Sequence, residues 1–337
     1  MPLLDIQNLC ASFRVGRGAL RALDGVSLSV ERGEFLGLVG ESGCGKSVTA
    51  QSVLRLYDEK RLVSYSGSVI FGGRDILRMP LRDMRRYRGA RIALAFQDAQ
   101  SALNPVFTAG SQIAESLRLH RKLPRKAARE QAVKLLRLVG IPDPERRAAQ
   151  FPHQLSGGMR QRAMLAVALA CGPELLIADE PTTALDATVQ AQIMELLAGL
   201  NARLGMSVLL ITHDLAVVAE TCSRVAVMYL GQIAEEAPVR ELFGKPLHPY
   251  TRGLLNSLPR MSGTRGERLR AIPGAVPPLG QIPDGCRFQN RCPLAEGRCR
   301  TERQELRAFG AGAVSGMSGC HKVRCWKAAA PGAGGTA

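Results

Sequence analysis

Short apolar runs alternate along this chain with longer stretches in which apolar residues return every three or four positions. The runs lie at Phe35 to Val39, Arg91 to Phe96, Leu175 to Ala178, Val208 to Thr212 and Arg224 to Leu230, and they predict strands. Several are followed by helical patterns, an order that points to an α/β fold with a mostly parallel sheet. Two helices are legible in detail. Ala128, Ala132, Leu135, Leu136 and Val139 share one helical face before Gly140, and Val189, Ile193, Leu196, Leu197, Leu200 and Leu204 repeat the pattern before Gly205. In both cases the glycine supplies a C-terminal stop.

About eighty residues separate the strand ending at Phe96 from the one starting at Leu175. Helix periodicity and polar turns dominate them, which predicts a helical insertion in the α/β core. Beyond Tyr250 the regular pattern fades. Residues 259 to 297 are rich in Pro and Gly, with Ile272-Pro273-Gly274, Val276-Pro277-Pro278 and Ile282-Pro283-Asp284-Gly285. A domain boundary is therefore expected near residue 258, and a loose Ala/Gly-rich tail from Ala328 to Ala337.

With 46% apolar and 22% charged residues among 337, the chain can bury a large core, which excludes a disordered or fibrous protein. The longest apolar run, Ala163 to Cys171, is roughly half of the ~18 residues a membrane-spanning helix needs. No span is expected from it. Residues Met1 to Cys10 include Asp5 and Asn8 and lack a basic segment followed by a long apolar one, so a cytosolic chain without a secretory signal is expected. In that compartment the nine cysteines read as free thiols or metal ligands.

The formal charge is 45 − 29 = +16, and residues 256 to 337 carry 13 Lys+Arg against 5 Asp+Glu, hence eight of those net charges. Such an excess suits nucleic acid, an anionic membrane surface, or simply a solvated Arg-rich surface. Its uneven placement hints at a separate C-terminal module.

The segment Gly40-Glu41-Ser42-Gly43-Cys44-Gly45-Lys46-Ser47 directly follows the strand Phe35 to Val39 and matches the phosphate-binding loop pattern G-x-x-x-x-G-K-[ST] without a gap. Glycines let successive N–H groups turn toward phosphate oxygens, and the helix that follows adds its positive end. Lys46 would neutralise the β and γ phosphates, and Ser47 would offer its hydroxyl to Mg²⁺. Farther on, Leu155-Ser156-Gly157-Gly158-Met159-Arg160-Gln161 opens an Ala/Leu-rich helix, a second anion-binding helix start. The strand Leu175 to Ala178 ends in Asp179-Glu180-Pro181, where a parallel sheet presents its catalytic edge.

Together these motifs resemble those of ABC-type ATPases. The resemblance implies a P-loop NTPase (RecA-like) core with an N-terminal β-subdomain, a helical subdomain at about residues 98–165 and the nucleotide-binding domain spanning residues 1–258. It implies that Ser156, Gly157, Gly158 and Met159 form the signature that closes on the ATP of a partner subunit. Asp179 resembles the Walker B acid, and Glu180 the carboxylate that polarises the attacking water. Gln97 resembles the Q-loop glutamine near Mg²⁺, Asp186 in Ala184-Leu185-Asp186 the D-loop aspartate, and His213 the switch histidine on the γ-phosphate. The nucleotide set is then Phe13, which would stack on adenine or else be a strand core residue, with Gly40 to Ser47 and Val48; Mg²⁺ would meet Ser47, Gln97 and Asp179. Cys44 stands where serine is more usual. Beside a helix N-terminus, its thiol is expected to have a lowered pKa and to be alkylation-sensitive unless ATP protects it.

The segment His248-Pro249-Tyr250, followed by Ile272-Pro273-Gly274 and Gly285-Cys286-Arg287-Phe288-Gln289-Asn290-Arg291-Cys292-Pro293, looks like the C-terminal extension of oligopeptide/dipeptide-type importer ATPases, in the longer D-type form rather than the shorter F-type. Cys286, Cys292, Cys299 and Cys325 sit in a module too poor in large apolar residues for a robust core, at residues 259–327, and such modules often need a staple. Their spacing says only that four thiolates could suit a soft metal. Zinc, a [4Fe–4S] cluster and unoccupied thiols stay open on that ground; the resemblance favours the cluster. Cys320 and His321 are alternatives for the fourth ligand, whereas Cys10, Cys171 and Cys222 read as buried small hydrophobes.

The resemblance implies an ATPase that energises peptide import. It would sit peripherally on the cytoplasmic side of the cell membrane, paired with a second ATPase on two permeases that an external solute-binding protein serves. A nickel or other small-solute importer would differ only in partners. An ABC-type ATPase acting on nucleic acid or ribosomes is disfavoured by the single P-loop and the lack of a long coiled-coil insertion, so no nucleic-acid partner is expected.

Overall fold

The computed structural model describes residues 1–16, 18–183, 186–258, 272–309 and 320–328. Its strands are β1 (Leu4–Val15), β2 (Gly18–Val30), β3 (Phe35–Val39), β4 (Val63–Phe71), β5 (Arg74–Asp75), β6 (Ile92–Ala95), β7 (Leu175–Asp179), β8 (Ser207–Thr212), β9 (Arg224–Tyr229), β10 (Gln232–Pro238), β11 (Arg307–Phe309) and β12 (His321–Val323). They form two sheets. The smaller is antiparallel, in the order β2-β1-β4-β5; the larger runs β11-β12-β10-β9-β3-β8-β7-β6. Within it β6, β7, β8, β3 and β9 are parallel neighbours, while β10, β12 and β11 continue the edge antiparallel.

Every residue of β3, β7, β8 and β9 is buried, because the sheet is covered on both faces. That is why these strands read as unbroken apolar runs. Successive side chains feed opposite cores: Leu36, Leu38, Leu175 and Ile177 pack with the small sheet around Leu4, Val26 and Phe71. Phe35, Val39, Leu176 and Ala178 pack instead under the helices. The sheet is thus the shared wall of two hydrophobic layers.

Between β6 and β7 the chain forms mainly helices, among them Ala109–Arg121, Arg125–Leu138 and Gly157–Leu169. Ala128, Ala132, Leu135 and Leu136 are the buried stripe of the second, as their spacing predicts, and Pro124 opens it while Gly140 adopts φ +73° beyond its end. The helix Ala187–Leu204 is closed by Gly205 at φ +61°, with Leu204 left exposed where the buried stripe runs out. Among the described residues no helix is long and apolar enough to cross a membrane.

Two buried ionic groups fasten the layers. Arg224, at the start of β9, bonds the carboxylates of Glu34 (2.8 and 3.0 Å) and Glu236 and the carbonyl of Ser29 at the end of β2. Glu235 on β10 accepts from the N–H groups of Leu247 (2.6 Å) and His248 (3.0 Å) and lies 2.7 Å from His321 Nε2 on β12. Burial works to raise its carboxyl pKa, but these hydrogen bonds outweigh it and hold the group below the usual range. The described part of the extension is therefore stitched into the core sheet through β12, which pairs with β10.

His248 begins the helix Pro249–Asn256, and its Nδ1 accepts from the N–H of Tyr250 at 3.0 Å. Burial lowers its pKa from 6.5 to about 4, against the opposing pull of Glu235. The folded chain resists a proton that the unfolded chain takes up, so this stability is complete above pH 6.5 and is lost as pH falls toward 4. Unfolding free energy should drop by up to about 3 kcal/mol across that window. Replacing His248→Asn, which keeps an acceptor, should flatten the Tm-against-pH curve there; an unchanged slope would assign the acid loss to other groups.

Candidate functional site

The phosphate loop leaves the buried end of β3, turns through Gly40 to Gly45 and enters the helix Lys46–Val53. Two glycines are sterically required. A Cβ at Gly40 would lie 2.2 Å from the Met228 carbonyl oxygen, and Gly45, at φ +109°, would press one 3.0 Å from Leu23. Lys46 is buried and curls over the loop, donating from Nζ to the carbonyls of Gly40 (2.7 Å) and Glu41 (3.0 Å). A cavity of about 260 Å³ opens beside it, lined by Ser42, Gly43, Gly45, Lys46, Ser47, Val48, Gln97, Glu180 and Leu279, with Ala22 at its wall.

The strand ends bring the acids to this cavity. Ser47 Oγ donates to Asp179 Oδ1 at 3.1 Å. Burial raises the pKa of Asp179, with Glu180 adding to it and Ser47 and Lys46 opposing. Two hard oxygen donors thus lie together at a buried site beside the lysine, a donor set suited to Mg²⁺. Glu180 takes φ +46°, a conformation that costs a non-glycine residue about 1–3 kcal/mol. Its N–H donates to the Ile211 carbonyl at 2.8 Å, which anchors the turn to β8.

The Glu180 carboxylate gathers three side chains. Gln97 Nε2 and Thr183 Oγ1 donate to Oε2 at 2.8 and 2.9 Å, and His213 Nδ1 lies 3.4 Å from Oε1. Gln97 and His213 follow β6 and β8, so adjacent parallel strands deliver all of them to one edge. The arrangement orders a carboxylate with an amide and an imidazole at the mouth of a phosphate site. It can hold a water and relay its proton.

Other expected residues lie elsewhere. Ser156 caps the helix Gly157–Leu169 by accepting from the N–H of Met159 at 3.3 Å and is exposed, outside the cavity. Asp186 caps Ala187–Leu204 in the same way through Val189 at 2.9 Å. The two helix starts are neighbours, since a Cβ at Gly158 would meet Val189 at 2.9 Å. Ala184 and Leu185 fall outside the described residues, as does most of the Ala/Gly tail. Phe13 is half-buried on β1, edge-on to Tyr57 with ring centroids 4.9 Å apart, and is not among the residues lining the cavity. Leu279, from the extension, does line it, and no local sequence signal marks that residue.

The expectation of a reactive Cys44 is overturned. Its side chain is 1% exposed beneath the loop, and burial raises the thiol pKa even against the nearby Lys46. The helix start cannot lower the pKa of a group that has lost its solvent. His321 is engaged with Glu235 and lies in β12, so it is not free to serve as a fourth ligand.

Cys286, Cys292, Cys299 and Cys325 are within electrostatic reach of one another. Burial raises Cys286 to about 11, and the three other thiols add to the rise; Cys325 is raised by burial and then by Cys292 and Cys299. A backbone bond from Cys286 N–H to the Cys299 carbonyl, 2.7 Å, holds two of the segments together. Arg324 and Lys327 are within electrostatic reach of these sulfurs. Among the described residues no three His, Cys, Asp or Glu side chains are grouped to hold one metal ion.

A family model described as "ABC transporter" matches residues 23–183, and one described as "Oligopeptide/dipeptide transporter, C-terminal region" matches residues 234–299. The chain is 52% identical over 325 residues to a probable peptide ABC transporter ATP-binding protein, y4tR, of Sinorhizobium fredii, covering 96% of this chain and 95% of the relative. It is 46% identical over 324 residues to the dipeptide transport ATP-binding protein DppD of Bacillus subtilis, covering 96% and 94%. The ATP-binding cassette MJ0796, solved as a dimer in a post-hydrolysis state with ADP and Pi, superposes with a TM-score of 0.64 at 28% identity, over 70% of this chain and 99% of that one.

Because Cys44 is sealed under the loop, native protein treated with a thiol reagent at neutral pH should leave it unlabelled with or without ATP. Labelling is expected only after denaturation. Peptide mass spectrometry distinguishes this from rapid, ATP-protected modification, which would require an open thiol.

Proposed function

From the premise that this chain belongs to the ABC transporter ATP-binding proteins, we propose that it hydrolyses ATP to energise peptide import through two membrane permeases. The observation that carries the catalytic part is the junction of Gln97, Glu180 and His213 at the rim of the phosphate cavity. ATP binding draws Lys46 from the Gly40 and Glu41 carbonyls to the β and γ phosphates, while loop N–H groups receive their oxygens. Ser47 and Asp179 would hold Mg²⁺, with Gln97 at its edge; the ion would neutralise phosphate charge. Glu180 orients a water and accepts its proton, and His213 donates to the γ-phosphate. Phe13 remains the proposed adenine platform.

The Ser156 to Met159 helix start, whose first two residues are exposed, and Asp186 are proposed to act across a dimer, on the ATP of a second ATPase subunit. Support comes from their exclusion from this chain's own cavity and from the dimeric arrangement of the MJ0796 cassette. Phe96, next to Gln97 in the chain, and Val106 and Phe107, just before the helix Ala109–Arg121, are large exposed apolar residues in the helical insertion, and exposed apolar side chains there suit a permease contact. Attachment to permeases places the chain peripherally on the cytoplasmic face of the membrane, with an external solute-binding protein on the other side. The domain limits proposed are residues 1–258 for the ATPase, 259–327 for the extension and 328–337 for the tail.

Cys286, Cys292, Cys299 and Cys325 are proposed to hold a [4Fe–4S] cluster. Each cysteine would bind a different iron, so the sulfurs need not crowd one centre, and nearby Arg324 and Lys327 favour a net-negative assembly. Its chemistry here would be that of a staple on a module with little core of its own. Anaerobically purified protein should contain iron and acid-labile sulfide, both lost in Cys292→Ser; stoichiometric zinc without iron would overturn the assignment.

Glu180→Gln should retain ATP binding and lose about a hundred- to ten-thousandfold in turnover, and ordinary hydrolysis in that variant would refute the role of Glu180. For the transport assignment, tagged chain drawn from detergent-solubilised membranes in high salt should bring two permeases and a related ATPase. Recovery with ribosomes or DNA-bound proteins and no permease would reject it.

A further inference from the structure

Glu41, the second residue of the phosphate loop, is gripped at three points. Its N–H donates to the Tyr250 hydroxyl at 2.9 Å, its carbonyl accepts from Lys46, and its carboxylate is clasped by Arg291. The clasp is a fork: Nη1 to Oε2 at 2.7 Å and Nη2 to Oε1 at 2.9 Å. One of these three partners comes from beyond the ATPase domain: Arg291 directly precedes Cys292 in the extension, whereas Tyr250 lies in the helix Pro249–Asn256 near that domain's end.

Arg291 is itself held with little freedom. Its Nε donates to the Pro273 carbonyl at 3.0 Å, and its guanidinium lies 5.8 and 6.0 Å from the ring centroids of Tyr229 and Phe288. Those rings pack with Tyr250, at 4.7 and 5.3 Å between centroids. The Arg291 side chain is 4% exposed and that of Glu41 28%. A planar fork on a carboxylate at a largely buried site transmits position as well as charge.

We infer that Arg291 is a positioning residue for nucleotide binding: by clasping Glu41 it makes the C-terminal extension a structural part of the ATP site. This rests on the reading of residues 40–48 as that site. Two physical effects act together. The clasp neutralises a carboxylate carried by the phosphate loop itself, whose unpaired charge would otherwise repel a polyphosphate bound to that loop. It also fixes the Glu41 peptide when Lys46 lets go of the Gly40 and Glu41 carbonyls to meet phosphate, so the loop keeps its N–H groups aimed inward. Leu279 lining the cavity is a second contact of the same extension with the same site.

The full-length chain tests this by ATP calorimetry in the Glu180→Gln background, and by KM and kcat for ATP with Glu180 intact. Arg291→Ala should raise the Kd and KM for ATP about tenfold with kcat within about twofold. Arg291→Lys, which keeps the charge and gives up the fork, should fall between Arg291→Ala and the unmodified chain. Adding Glu41→Gln to Arg291→Ala should recover most of the lost affinity, because the unpaired carboxylate is then gone; a merely structural arginine would show no such recovery. ATP binding unchanged in Arg291→Ala, a loss confined to kcat, or additive losses in the double variant would each overturn the inference. Lys46→Ala serves as the separate control: if it leaves ATP binding intact, the reading of the site itself fails rather than the role of Arg291.

Discussion

The site depends on one close backbone approach. Where β3 ends, Gly40 passes so near the Met228 carbonyl on β9 that no side chain fits, and the loop can only then curl back over Lys46. The turn is supported from below as well: the Gly231 N–H donates to the Cys44 carbonyl at 2.7 Å, and the Asp24 N–H to the Gly231 carbonyl at 2.9 Å. The phosphate loop is therefore seated on the turn between β9 and β10. It is not a free arch, and this explains why Cys44 faces the interior while Ser42 and Gly43 face solvent.

Parallel neighbours do the remaining work of assembly. Because β6, β7, β8 and β3 run side by side in one direction, Gln97, Asp179, Glu180, His213 and Gly40 all emerge at the same edge, although up to 173 positions separate them in the chain. Burial on both faces of the sheet fixes the register, since a one-residue slip would exchange the two cores. The left-handed backbone of Glu180 belongs to this economy. Two consecutive acids at one strand end, Asp179 bonded to Ser47 and Glu180 to Gln97 and Thr183, face different partners only if the chain turns sharply between them.

The basic C-terminal region turns out to be engaged rather than merely solvated. Arg287 bonds Asp24 and the Leu230 carbonyl, Arg291 bonds Glu41, and Arg324 donates to the Ile233 and Gln304 carbonyls. Part of the charge excess thus neutralises acids and caps carbonyls of the core. Electrostatic footprints read from composition count such residues as free, which is how an excess of sixteen charges can look like a nucleic-acid surface.

The strands at residues 35–39, 91–96, 175–178, 208–212 and 224–230 are legible in the chain to within a residue or so of their observed ends, and so are the glycine loop and the acids after Leu175 to Ala178. These are local properties: a doubly buried strand must be apolar throughout, and a phosphate turn needs its glycines at fixed spacing. The rest follows from which distant surfaces folding brings into contact. Whether Cys44 was reactive depended on which way the loop was tucked. Whether His321 was a ligand depended on Glu235, 86 positions away. The clasp between Glu41 and Arg291 spans 250 positions, and an ion pair at that separation leaves no periodicity in the chain, because neither residue is constrained by its neighbours in sequence but only by the surface that folding brings to it.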